Sequence, residues 1–266
     1  MVSYRNGSIP ILMYHSVGRE VQSRRDTFLN VSADGFRRQM QALVSLGFRA
    51  RSCCEVINAI RNRRQLPKRT IVITFDDGFR CVREIAAPIL ESHGFPATVF
   101  VVPDWIADTE FRILDAGRMN LPLMDWQAIR ELQAMNWEIG GHTLSHPHLD
   151  TMNADAALEQ IREGKIAVEA QIRTSLQTFC YPFGHWNAHT PAAVQKAGFA
   201  GACTVMSGLA HIGCDPYVLP RVKVGYRDGV SGLLYRMLVR PSLPTFRRHR
   251  RSHPTHIPIY EELEAA

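Results

Sequence analysis

Seven short apolar runs, separated mostly by segments of helical periodicity, constrain this 266-residue chain more than any other feature. They lie at 10–15 (PILMYH), 70–75 (TIVITF), 96–102 (PATVFVV), 137–140, 178–183 (TFCYPF), 199–205 and 217–224. Each is long enough to cross a core, and strands alternating with helices imply βαβ units and a parallel sheet. Between the first two runs, Phe36, Met40, Leu43 and Val44 repeat at helical spacing behind a Ser32 cap, with Gly47 as the stop. Further helices are expected from Gly78 to His93-Gly94, from an Asp125 cap to Met135, over 154–173, and over 191–197 before Gly198. The stretch from 103 to about 124 reads as a long loop. Seven such units without an internal linker predict a single α/β domain over 1–240, closed or nearly closed as a barrel. Residues 241–266, with four prolines and the run RRHRR, read as a poorly ordered tail.

Composition narrows the function classes. The net charge of +6 is concentrated in 61–69 (RNRRQLPKR) and 247–251 (RRHRR). Such clusters can touch nucleic acid or anionic lipid, but no nucleic-acid module accompanies them, and solvated surface is the simpler reading. No nucleic-acid partner is therefore expected. No run approaches the roughly 20 apolar residues of a transmembrane helix. The first ten residues lack the basic start, apolar stretch and cleavage site of a secretory signal, so a cytoplasmic location, or one peripheral to a membrane, is expected. The six cysteines (Cys53, Cys54, Cys81, Cys180, Cys203, Cys214) contain no CxxC pair and are expected to be free thiols. Nothing in the composition specifies an oligomeric state.

In parallel α/β folds the reacting groups gather at the C-terminal ends of strands. The second run ends in Asp76 and Asp77, the fourth leads into His142 and His146, the first ends in His15, and the fifth in Phe183-Gly184. Two adjacent carboxylates repel each other and need a cation or hydrogen-bond donors nearby. Taken alone, Asp-Asp-Gly fits a turn equally well. His142 and His146 stand four apart in HTLSH, and imidazole is the commonest neutral metal ligand. Position 143 is Thr, so the zincin glutamate is absent. With one carboxylate the pair makes a three-ligand set of the kind that leaves a catalytic metal an open position for water.

These two motifs, Thr74-Phe-Asp-Asp-Gly78 and His142-Thr-Leu-Ser-His-Pro147, resemble the signatures of the polysaccharide deacetylases of carbohydrate esterase family four. The resemblance runs from about Ile9 to Val224 and implies a distorted (β/α) barrel of seven strands. It implies a divalent metal, zinc first among the choices, held by Asp77, His142 and His146. Asp76 becomes the general base toward the attacking water, and the backbone N–H of Phe183 a donor to the oxyanion. The family's third motif normally carries an Arg that braces the base, where this chain has Cys180 in Cys180-Tyr-Pro-Phe183. A subgroup acting on poly-N-acetylglucosamine-like polymers also lacks that Arg, and Arg221 is the candidate replacement. The same subgroup carries a Tyr-His pair at the first strand, here Tyr14-His15, which implies His15 as the general acid that protonates the leaving amine. A hydrogen-bonded turn residue is the alternative for His15.

Tyr181, Trp126 and Trp186 are candidate substrate contacts, since flat aromatic faces suit sugar rings, although core packing explains both Trp residues equally well. His185, Asn187 and His189 lie beside Phe183 as further candidates. Asp125 is expected to cap its helix and His148 to be surface. The function implied is metal-dependent removal of acetyl groups from N-acetylated sugars, whether polymer, oligosaccharide or glycolipid. Esterase action on O-acetylated polysaccharide, hydrolysis of a small non-sugar amide, and glycan binding without cleavage remain open alternatives.

Overall fold

The computed structural model of the protein describes residues 7–18, 29–107 and 121–240. Its strands are β1 (Ile11–Tyr14), β2 (Ser16–Val17), β3 (Asn30–Val31), β4 (Arg49–Arg51), β5 (Thr70–Phe75), β6 (Thr98–Val101), β7 (Glu138–Gly141), β8 (Thr178–Cys180), β9 (Gly201–Ser207) and β10 (Leu219–Lys223). The helices are α1 (Ala33–Ser45), α2 (Cys53–Arg61), α3 (Ala87–Glu91), α4 (Pro103–Ala107), α5 (Trp126–Ala134), α6 (Ala154–Ile172), α7 (Thr190–Lys196) and α8 (Val230–Leu234).

All seven apolar runs form parallel strands. β1 pairs with β10 on one side and β5 on the other, closing a ring in the order β1-β5-β6-β7-β8-β9-β10. The pairing of β10 with β9 shifts register between Leu219 and Arg221. The fold is thus the distorted (β/α)7 barrel expected. β4 adds an eighth strand against the first half of β5, and β2 with β3 forms a separate two-stranded ribbon. Neither had a legible apolar run. Of the sequence features named above, the tail 241–266 and most of the 103–124 loop lie outside the described residues, although 103–107 form α4.

Alternation along the strands sorts the core into two layers. Ile11, Val72, Phe100, Cys180, Cys203 and Leu219 fill the barrel interior. Their neighbours Leu12, Ile73, Val99, Phe179 and Val222 pack outward among the helices. The N-terminal end of the barrel is closed by α2, whose Cys53, Val56 and Ile57 join the interior cluster. That helix escaped the sequence reading, yet its start is heavily specified. Ser52 and Glu55 form a capping box, and half-buried Glu138 accepts from the backbone N–H of Cys54 at 2.9 Å. Thr98 and Thr178 hydroxyls bind the same carboxyl group at 2.9 and 2.7 Å, so the acceptor at the helix N-terminus is held in a fixed position. Helix α1 has its Ser32 cap as expected, but Val44 lies outside the buried stripe. All six cysteines are free thiols, and no helix among the described residues is long and apolar enough to cross a membrane.

Gly164 on α6 shows why a glycine interrupts that helix. A Cβ there would lie 2.4 Å from the carbonyl carbon of Thr143 and 2.6 Å from the nitrogen of Leu144, both backbone atoms. The helix therefore approaches the HTLSH loop as closely as a backbone can. Gly164→Ala is expected to cost about 1–3 kcal/mol through overpacking, seen as a lower urea midpoint and weaker metal retention. An unchanged midpoint would mean that the helix can back away freely.

Candidate active site

At the opposite, C-terminal end of the barrel the strand ends bring six side chains together. The N–H of Asp76 donates to the carbonyl of Tyr14 at 3.0 Å, which aligns the ends of β5 and β1. Asp77 and Gly78 then take consecutive left-handed conformations, with φ of 73° and 78°. Glycine adopts this freely, and aspartate tolerates it better than most residues. The turn sends the two carboxylates to different partners, so their mutual repulsion is relieved from both sides.

Asp76 meets Arg221. The guanidinium donates to both of its oxygens, at 2.8 and 2.7 Å, in a bidentate pair. Arg221 is fully buried at the middle of β10. Its remaining donors reach the carbonyl of Thr204 (2.8 Å), the hydroxyl of Thr74 (3.0 Å) and the sulfur of Cys180 (3.1 Å). Burial opposes ionisation of Asp76, but the charge and hydrogen bonds of Arg221 outweigh it and hold the carboxyl below its usual range. Burial likewise pushes the Cys180 thiol well up, so it stays protonated. On the other side, His15 Nε2 is 3.8 Å from Asp76 Oδ2. Burial lowers the His15 pKa against the pull of both aspartates.

Asp77 faces the histidines. Its Oδ1 lies 3.5 Å from His142 Nε2 and 3.6 Å from His146 Nε2, and all three side chains are buried. Zinc–ligand bonds of about 2.0–2.1 Å in tetrahedral geometry separate neighbouring ligands by roughly 3.4 Å, so these atoms fit a divalent ion with little adjustment. His142 Nδ1 sits 2.6 Å from the carbonyl of Cys180, which fixes the ring and leaves Nε2 facing Asp77. Burial works against the charge on Asp77, but the hydrogen bond from His142 and the neighbouring imidazoles hold its pKa far below the ordinary value.

The HTLSH segment is a loop, as Pro147 indicated, and it is tightly held. The Thr143 hydroxyl accepts from His146 N at 2.9 Å. Gln160 of α6 accepts from Leu144 N through its carbonyl and from Ser145 N through its side chain, at 3.0 and 3.2 Å. Thr143, His146 and Phe183 all have positive φ, at 67°, 63° and 57°. Each costs roughly 1–2 kcal/mol relative to a relaxed backbone, and with Asp77 they surround the same few atoms. Strain concentrated in this way is characteristic of sites where placement matters more than local stability.

The aromatic candidates divide. The Phe183 ring stands edge-on to His146 at 4.5 Å, between centroids, and stacks on His148 at 3.9 Å. Trp126 and Trp186 are half-buried and pack partly on the core. Tyr181 is a correction: it is fully buried, and its hydroxyl donates to the Tyr217 carbonyl at 2.9 Å, so it faces the outer core and cannot line a groove. Asp125 caps α5 by accepting from Ala128 N at 2.8 Å, and Asn187 caps its own loop through His189 and Thr190. Trp105 was not anticipated. Its ring lies tilted by 39° against that of His146, 4.7 Å between centroids, from the start of α4, and its only sequence signal was a position just past the third apolar run.

Similarity to known proteins agrees with this geometry. The sequence profile of the polysaccharide deacetylase family matches residues 63–202, more than half of the chain. The chain is 25% identical over 237 residues to a poly-β-1,6-N-acetyl-D-glucosamine N-deacetylase of Escherichia coli K12, covering 77% of this chain but 35% of that protein. It spans only about a third of that relative's length. The enzyme of the same name from Staphylococcus aureus MRSA252 is 22% identical over 248 residues, covering 84% of this chain and 81% of the other. Among solved structures, the Streptococcus pyogenes deacetylase PplD in complex with acetate superposes with a TM-score of 0.75 at 24% identity, over 86% of this chain and 98% of that one. With the profile and the barrel in agreement, the chain belongs to the polysaccharide deacetylase family, metal-dependent hydrolases that cleave the carbon–nitrogen bond of N-acetylated sugars.

Proposed function

We propose that the chain removes N-acetyl groups from N-acetylglucosamine polymers or oligosaccharides of the β-1,6-linked kind, with zinc as its metal. The observation that carries this reading is the division of labour between the adjacent aspartates, one clamped by Arg221 and one facing two imidazoles. Named relatives that act on that polymer supply the substrate class.

Asp77, His142 and His146 would hold the ion, which when bound polarises the acetyl carbonyl and brings the pKa of water from 15.7 toward about 7. Asp76, kept ionised by Arg221, accepts the proton of the attacking water. His15, across from Asp76 at 3.8 Å, delivers a proton to the leaving amine as general acid. The Phe183 N–H is assigned to the oxyanion, and preorganised donors of this kind contribute roughly 3–4 kcal/mol. Trp126 and Trp186 are assigned to the sugar-binding groove.

Acetate release should be measured from poly-β-1,6-N-acetylglucosamine, chitooligosaccharides and acetylxylan, with and without chelator. The N-acetylated substrates are expected to release acetate, chelator to stop it and added zinc to restore it. Release from acetylxylan alone would overturn the substrate class, and indifference to chelator would overturn the mechanism.

The replacement of the family's bracing arginine by Arg221 has its own test. In Arg221→Lys the charge stays but the two-pronged contact is lost, so the pKa of Asp76 should rise. Asp76 acts in its ionised form, so the acidic limb of the kcat/KM profile should move to higher pH by about one unit, equivalent to roughly 1.4 kcal/mol. An unmoved limb would show that Arg221 does not set the charge of Asp76.

A further inference from the structure

A second cluster of donor groups lies beside the first and serves no step of the reaction above. His148, Asp150 and His185 each offer a ligand atom, and these three atoms lie within 4.8 Å of one another. His185 Nδ1 and Asp150 Oδ1 are 3.7 Å apart, close to the separation of Asp77 from His142 and His146. The Asp150 side chain is 8% exposed, and its Oδ1 makes no hydrogen bond although it is shut off from solvent. A buried carboxylate oxygen in that condition carries a desolvation cost of about 1–3 kcal/mol or more until a positive partner meets it. His148 is the exposed member.

The backbone around this cluster is already stapled. Asn187 Nδ2 donates to the carbonyl of Asp150 at 3.0 Å, tying the loop after β8 to the turn after the HTLSHP motif. Thr151 donates to the His148 carbonyl from its N–H and its hydroxyl, at 3.2 and 2.9 Å. The His148 ring lies parallel to that of Phe183, 5° between planes. The backbone at His148 and Asp150 is thus held before any ligand arrives, and the His148 ring touches the residue assigned to the oxyanion.

We propose that His148, Asp150 and His185 form a second divalent-cation site, distinct from the hydrolytic one, whose ion clamps the turn after the HTLSHP motif to the loop that carries Phe183. Two imidazoles and one carboxylate are the donors of zinc, cobalt, nickel and copper rather than of calcium or magnesium. The ion supplies the charge that Asp150 Oδ1 lacks, and it leaves coordination positions open to water or to sugar hydroxyls.

The test is zinc stoichiometry by equilibrium dialysis of the full chain with zinc chloride, followed by metal analysis. Wild-type protein is expected to hold two equivalents, the His148→Ala/His185→Ala double variant one, and Asp77→Ala one. The pair of variants separates the two sites: Asp77→Ala reports on the hydrolytic ion and the double variant on the new one. A single equivalent in the wild type would overturn the proposal. A second equivalent that survives in the double variant would do the same, because it would belong to other surface histidines. Asp150→Asn serves where the double variant folds poorly, with the same loss of one equivalent expected and retention counting against the site.

Discussion

Asp76→Asn is expected to lower acetate release by about 10²–10⁴-fold, the usual contribution of a positioned general base, with the zinc content equal to that of the wild type. Asparagine keeps the shape of the side chain and one acceptor, but its amide cannot take a proton from water. The substitution also turns the contact with Arg221 half against itself, since the guanidinium meets an NH2 where it met a second oxygen. The fully buried Arg221 keeps one bond to the amide oxygen besides those to Thr204, Thr74 and Cys180, and one of its N–H groups faces a donor. Breaking one side of a buried ion pair costs about 3–5 kcal/mol, so the variant should unfold at lower urea as well as lose activity. The two losses are separable, because metal content and rate are measured on the folded fraction below the transition. Turnover within tenfold of wild type would remove Asp76 as the base.

The barrel was legible because each of its strands is buried on both faces, so each stands out as an apolar run bounded by turn residues. What escaped has the opposite character. β4 reads Arg-Ala-Arg, a three-residue strand with only Ala50 buried. α2 carries two cysteines and an asparagine among its apolar residues and runs straight into a basic stretch, so its role as the plug depends on packing rather than pattern. The site follows the same logic. The grouping of Asp77, His142 and His146 was legible because residue types suited to a metal stand at strand ends, and the contact of Arg221 with Asp76 because a buried carboxylate without the usual Arg calls for another charge. Tyr181 was misread for want of one step. Cys180 faces the barrel interior, so the next residue must face outward. Trp105 and the His148 cluster left no such mark, since their roles come from contacts between segments far apart in sequence.

Asp77→Ala is expected to abolish acetate release and to remove one zinc equivalent from the protein. Losing a group that merely orients a ligand weakens metal sites by about 10–100-fold, and losing a ligand itself should exceed that. The remaining imidazoles of His142 and His146 offer only two donors, and the site loses the negative charge that offsets the ion. A ligand that binds only the folded state stabilises it by about 2.7 kcal/mol at a hundredfold excess over Kd, or roughly 5–10 °C in Tm for a domain of this size. The hydrolytic site's share of the zinc-induced rise in Tm should therefore vanish in the variant. One rival ligand set exists among the described residues, formed by Asp76, His142 and Cys180. It is the poorer choice, because Arg221 occupies both oxygens of Asp76 and burial keeps the Cys180 thiol protonated. Should Asp77→Ala keep its zinc and Cys180→Ala lose it, the rival set holds the ion and the two aspartates exchange roles.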